Sequence, residues 1–305
     1  MGPSNRRTFL KQVAALGAAG LAGPGLFLNT SKSFGAAADI YVATGDDYYQ
    51  NAIKVVEALG GMKKFVGPRA KVGLLINSPF SNPGTFASPD VALAVAEMCF
   101  DAGAKEVRLM KQGHRGYWEK GRVAPKRGNV VSRLIMADTD FRNVTIEKGF
   151  SLKKAEMVRD FFFTDVFINV PVTKNHEGTN FSAGLKNMMG LCRSSTCRYF
   201  HTGEGGSGWY DNVAHLSQCI ADLNLVRKPD LVVCDSTEII ANNGPFGPGT
   251  VLKPKQVSAG TDPVLMDAYS ASVLGLNPAD IIMIQKAAEH GLGHYDLNKA
   301  KVERI

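Results

Sequence analysis

Three adjoining segments narrow the folds open to this chain more than any other feature. Lys71 to Asn77 reads Lys-Val-Gly-Leu-Leu-Ile-Asn, an apolar run of the kind that belongs to a strand buried on both faces. Ser88-Pro89 then opens a helix over 90–101, with Ser88 as N-cap and Pro89 at the first helical position. Ala102-Gly103-Ala104 closes that helix, and Glu106 to Met110 returns as a strand. Two strands joined through a helix lie parallel, and the crossover is right-handed. A parallel sheet must be covered on both sides. The prediction is therefore an α/β fold: a mostly parallel, doubly wound sheet covered by helices on both faces.

The rest of the chain continues the alternation. Ile40 to Ala43 reads as a first strand, and Asp47 to Leu59 as a helix with Ala52, Val55, Val56 and Leu59 on one face. Gly60-Gly61 ends it. Residues 111–140 are rich in Gly, Arg, Lys and Pro and read as a surface excursion. Asn143 to Ile146 reads as a short strand, and Leu152 to Asp160 as a helix or a strand pair. Asp165 to Val170 is a buried strand, followed by a short helix near 182–191 and a glycine-rich loop over 201–208. Helices are expected over 212–226, from Asp262-Pro263 to Ala271, and from Pro278 to His290. Leu231 to Cys234 and Gln256 to Ala259 complete the strands.

Ahead of the first strand, Asn5-Arg6-Arg7-Thr8-Phe9-Leu10-Lys11 precedes an Ala- and Gly-rich apolar run, and Ala36-Ala37-Ala38 offers a small-residue cleavage site. That is the pattern of a twin-arginine export signal. It predicts a signal peptide over 1–38, a single α/β domain over 39–305, and a periplasmic product that meets the twin-arginine export machinery. The apolar run is shorter than the roughly 20 residues of a spanning helix, so no stable membrane anchor is expected after cleavage. The leader also explains most of the formal charge of +7. Four of the 35 basic residues lie in it (Arg6, Arg7, Lys11, Lys32) and none of the 28 acidic ones, which leaves 31 against 28. So small an excess argues against a nucleic-acid partner.

The five cysteines carry no C-x-x-C and no run of four, so no ferredoxin-type iron–sulfur cluster is expected. Cys99, Cys219 and Cys234 sit in apolar patterns as buried small hydrophobes. Cys192 and Cys197 are the candidates for a disulfide in an oxidising compartment. The phosphate-loop, H-E-x-x-H and G-x-S-x-G patterns are also missing.

The richest cluster of chemistry follows the Asp165–Val170 strand. Lys174 and His176 are two apart in extended chain, so they project to one side, just past a carboxyl strand end where this fold places ligands. Lys186 and Asn187 follow in the short helix. Two cations, an imidazole and an amide suit an anionic small molecule or cofactor. Lys174, Lys186 and Asn187 are thus cofactor-binding candidates. His176, His201 and Asp235 are catalytic candidates and the candidate metal ligands, Asp235 because it ends the Leu231–Cys234 strand. His201 is placed at the start of the glycine-rich loop, read as a lid or hinge. Asp267 is ambiguous, and Asp262 reads as an N-cap. His290 and His294 are four apart, but Gly291 and Gly293 break the helix between them.

These same residues resemble the "domain of unknown function 362" family. The matching pieces are Asn169 to His176, Ser182 to Gly190, Val233-Cys234-Asp235, Asn242 to Pro245, Thr261 to Ala268 and Gly291 to Gly293. The resemblance implies an α/β domain and, through relatives with appended cysteine clusters, a redox context and a redox partner protein. The cluster cysteines are absent from this chain. Two functions stand side by side at this point: a cofactor- or metal-assisted enzyme, its cofactor unidentified, and a non-catalytic binding or accessory protein for a respiratory partner.

Overall fold

The strands gather into one central sheet with three small hairpins at its margins. The computed structural model describes residues 38–203 and 212–305. In chain order the strands are β1 (Ile40–Thr44), β2 (Lys71–Ile76), β3 (Glu106–Leu109), β4 (Ile135–Met136), β5 (Phe141–Thr145), β6 (Lys154–Val158) and β7 (Val166–Val170). They continue as β8 (Lys174–His176), β9 (Asn180–Ser182), β10 (Leu231–Ser236), β11 (Ile239–Ile240), β12 (Val251–Leu252), β13 (Gln256–Gly260) and β14 (Val302–Arg304). The helices are α1 (Tyr48–Ala58), α2 (Pro89–Asp101), α3 (Gly128–Val131), α4 (Gly184–Asn187), α5 (Ser194–Thr202), α6 (Val213–Asn224), α7 (Pro263–Val273) and α8 (Ile282–Glu289). None of the described helices is long and apolar enough to cross a membrane.

The central sheet runs β14-β1-β13-β10-β7-β2-β3-β4. Every neighbouring pair is parallel except those made by β13, which runs antiparallel to both β1 and β10. The fold is thus the expected mostly parallel, doubly wound α/β sheet. Alternation along the strands divides the core. Val166, Ile168 and Val170 of β7 pack with Val55 and Val56 of α1 and Val91 and Val95 of α2. Phe167 turns the other way, to Leu185 of α4, Ile220 of α6, Leu265 of α7 and Ile284 of α8.

Local signals hold the elements as the residues suggest. Ser88 Oγ accepts from Asp90 N at the start of α2, and Asp262 caps α7 by accepting from Val264 N and Leu265 N. The surface excursion over 111–140 contains α3 and ends in β4 at the sheet edge. Its middle is tied to α2 by Asp90, whose carboxylate accepts from Arg122 N, Val123 N and Ala124 N. Two expectations are refined. The 152–160 stretch is one strand, β6, paired with β5, followed by a short helical turn. The helix expected from Pro278 is a turn over Pro278–Asp280 and then α8. Cys192 and Cys197 are both free thiols, so the expected disulfide candidate is unbridged.

Candidate functional site

Polar residues stand where apolar strands reach the rim. In β2, Leu75 faces the α4 layer, and Asn77 two residues on faces the same way. In β7, Phe167 and then Asn169 do likewise. Above them lies α4, whose first turn is held by a carboxylate from a distant helix. Asp267 of α7, 1% exposed, accepts from Gly184 N at 2.7 Å and Leu185 N at 3.1 Å. Burial pushes its carboxyl up to about 7, against the pull of those two donors.

A chain of amides joins this helix to Lys174. Lys174 Nζ donates to Asn77 Oδ1 (3.0 Å) and to Thr85 O (2.7 Å). Asn77 Nδ2 donates to Asn187 Oδ1, Asn187 Nδ2 to Asn169 Oδ1, and Asn169 Nδ2 to the Gly184 carbonyl. The polarity of the chain is set at its ends, by an amine that donates and a carbonyl that can only accept. Such a network, satisfied at each amide, orders the groups around it.

Lys174 and His176 lie in β8, hydrogen-bonded to β9. A turn at Gly244 clamps this hairpin: Gly244 N donates to Asn175 Oδ1, and Gly244 O accepts from Glu177 N. A Cβ at Gly244 would overlap the Asn175 carbonyl, so only glycine fits there. The residues after it, Pro245 and Phe246, form part of a cavity wall.

That cavity, about 1000 Å³, is lined by Lys111, Lys174, His176, Lys186, Asn187 and His201 among its polar residues. Ile76, Phe80, Met189, Val213 and Phe246 supply apolar walls, and Phe80 meets Phe246 edge to face at 4.7 Å. Lys174 is 2% exposed, with Nζ 5.0 Å from the Phe80 ring centroid. Burial first, and then the Lys186 charge, lower its pKa to about 7. His176 is driven down to about 2, by burial first and then by Lys186, Lys174 and His201. Its Nδ1 accepts from Gly178 N at 3.0 Å, which places the ring proton of the neutral imidazole on Nε2. Lys186 Nζ lies 3.3 Å from Met189 Sδ.

Five of the six residues singled out in the sequence thus line one cavity; Asp235 does not. By strand alternation Leu231 and Val233 of β10 face the α1–α2 layer, and Asp235 follows them. It accepts from Ser88 N at the start of α2 and from Thr237 N, and lines a separate pocket of about 130 Å³ with Tyr48, Lys120 and Arg122. Burial raises its carboxyl to about 6 despite these donors. The candidate metal set of His176, His201 and Asp235 is therefore not assembled. Among the described residues no group of three or more His, Cys, Asp or Glu could hold a metal ion. His201 is a second correction: it lies in the last turn of α5, not in a loop. Most of the glycine-rich stretch after it, 204–211, lies outside the described residues. His290 caps the end of α8, but its Nε2 pairs with buried Asp222 at 2.7 Å rather than with His294. Asn77, Lys111 and Asp267 carry parts of the site that sequence reasoning had not assigned. Asn77 and Lys111 had a legible signal, since each stands just past the carboxyl end of a strand.

The family model described as Domain of unknown function (DUF362) matches residues 71–272, a span that includes every cavity residue named above. No curated protein matches the chain. Among solved structures, the lactate racemase apoprotein from Thermoanaerobacterium thermosaccharolyticum shares 12% identity, with a TM-score of 0.46 over 72% of this chain and 54% of that one. A protein from Thermotoga maritima shares 14%, with a TM-score of 0.39 over 81% and 60%. The chain spans a little over half the length of these structures.

Proposed function

We propose that this chain, which belongs to the family described as Domain of unknown function (DUF362), binds an organic anion in the rim cavity and exchanges protons with it through Lys174. One observation carries the reading. Three lysines (Lys111, Lys174, Lys186) line a largely apolar cavity in which Glu177 is the only carboxylate among the described lining residues. Lysine side chains gathered in a partly dry site favour an anion through charge-assisted hydrogen bonds. The aromatic walls suit a ligand with a flat apolar part, and the volume is that of a small-molecule or cofactor site. A buried amine that titrates near neutrality can take up and release a proton at working pH.

The test uses 8-anilino-1-naphthalenesulfonate, a flat aromatic anion whose fluorescence rises on binding. One saturable site is expected on the folded protein. Lys174→Met and Lys186→Met should each weaken it about tenfold, the loss of one charge-assisted contact. Binding that neither substitution alters would sink the reading.

The Arg6-Arg7 leader supports a periplasmic setting for this activity, reached after folding. Exchange of both arginines for lysine should hold the protein in the cytoplasmic fraction. Its undiminished appearance in the periplasmic fraction would remove the proposed address.

A further inference from the structure

We propose that Lys174 forms a Schiff base with an anionic aldehyde or ketone held in this cavity. The inference rests on the anion-binding reading above and adds a bond to it.

The geometry around Nζ points to this chemistry. A neutral amine has two N–H groups and one lone pair. Asn77 Oδ1 and Thr85 O, at 3.0 and 2.7 Å, account for both hydrogens. Neither of these atoms can donate back. Thr85 offers a backbone carbonyl, and Asn77 turns its own Nδ2 away to Asn187 Oδ1. The lone pair is left for the remaining tetrahedral position of Nζ, beside the cavity that Lys174 lines. The Phe80 ring, 5.0 Å from Nζ, gives a flat carbonyl-bearing group a surface to lie against. Among the described residues no carboxylate pairs with Lys174, so no anion holds the amine in its charged form. Burial and the Lys186 charge keep a large share of it neutral near pH 7.

The step balances without an oxidant. The Nζ lone pair attacks the carbonyl carbon, forming C–N, and the oxygen gains a proton to give a carbinolamine. The C–O bond then breaks, and the oxygen leaves as water with the two hydrogens that the amine has lost. A proton taken back from solvent gives the iminium, whose N–H keeps an acceptor in Asn77 Oδ1 or Thr85 O. His176 lines the same cavity with its ring proton on Nε2, placed to donate toward the carbonyl oxygen. Among the described residues the other charged or titratable groups lining the cavity are Lys111, Glu177, Lys186, Cys197 and His201.

The experiment uses a matched pair on the full chain: pyridoxal 5′-phosphate, an aromatic anionic aldehyde, and pyridoxine 5′-phosphate, the same anion with an alcohol in its place. Pyridoxal 5′-phosphate with sodium cyanoborohydride should leave a reduction-stable adduct on Lys174 ahead of other lysines, located by peptide mass mapping. Pyridoxine 5′-phosphate should block it. Lys186→Met removes a neighbouring cation, so it should slow labelling at pH 7 by about threefold or more and move the pH midpoint of labelling upward. Mapping of the unaltered protein requires no variant to fold. If pyridoxine 5′-phosphate displaces the naphthalenesulfonate probe while Lys174 stays unlabelled, the Schiff base is wrong and the anion site stands. If neither phosphate nor the probe binds, both fall.

Discussion

Asp267→Ala is expected to lower the free energy of unfolding by about 2–5 kcal/mol, the cost of leaving two buried N–H groups without acceptors. The two groups are Gly184 N and Leu185 N, the first turn of α4. Among the described residues, Asp267 supplies the side-chain hydrogen bonds from α7 to that turn, and Leu265 packs in the same core cluster as Leu185. The next residues of α4 are Lys186 and Asn187, so the loss should also disorder the amide chain that ends at Lys174 Nζ. Urea unfolding measures the first effect, and titration with the naphthalenesulfonate probe the second. Asp267→Asn keeps an acceptor for Gly184 N and should fall between the alanine variant and the natural protein. An alanine variant of unchanged stability would show that these two hydrogen bonds do not hold α4.

Lys174→Met should produce a stability difference that grows with pH. Folding lowers the Lys174 pKa from 10.5 to about 7. Between those values the unfolded chain binds a proton that the folded chain does not, so stability rises with pH there. Methionine has no such proton. The natural protein should therefore gain on the variant by about 2 kcal/mol between pH 7 and pH 9, from roughly 1.4 kcal/mol per pH unit less the partial titration near 7. The variant also strands Asn77 Oδ1 and Thr85 O, a loss that does not depend on pH. Paired urea titrations at pH 7, 8 and 9 separate the two contributions. A constant difference across that range would mean that Lys174 stays charged in the folded protein.

The two effects share a cause, which is the burial of polar groups at the rim of an apolar sheet. A buried carboxylate or amine is costly unless it is satisfied. Here each such group is matched to a donor or acceptor contributed by a distant segment: Asp267 to α4, Asn187 to β2 and β7, Lys174 to the loop before α2. Lys174 stands apart from the rest, because Asn77 Oδ1 and Thr85 O, to which it donates, only accept. That is the feature from which the Schiff base follows, whereas the anion reading follows from the three lysines that line the cavity.

Much of this was legible in the residues alone. The Lys71–Asn77 run, the Ser88-Pro89 cap and the Asp165–Val170 run each carry their structure within a window of a few residues. Strand period, N-cap chemistry and glycine stops act locally, and they determined the class of fold and its parallel sheet. Lys174 and His176 drew notice because they follow the Asp165–Val170 strand, a position visible in sequence once the strand is, and Lys186, Asn187 and His201 join them in one cavity from α4 and α5.

The face on which a strand-end residue emerges was not visible. Asp235 and Asn77 both end buried strands, yet one meets α2 and the other α4, because alternation and the covering layer decide it together. Nor could any local pattern join Asn77 to Asn187, 110 residues apart, or Asp267 to Gly184, 83 apart. Propensity and periodicity act between near neighbours along the chain. Desolvation, which sets the Lys174 amine near neutrality, depends on everything that surrounds it in space, and only the packed tertiary structure supplies that.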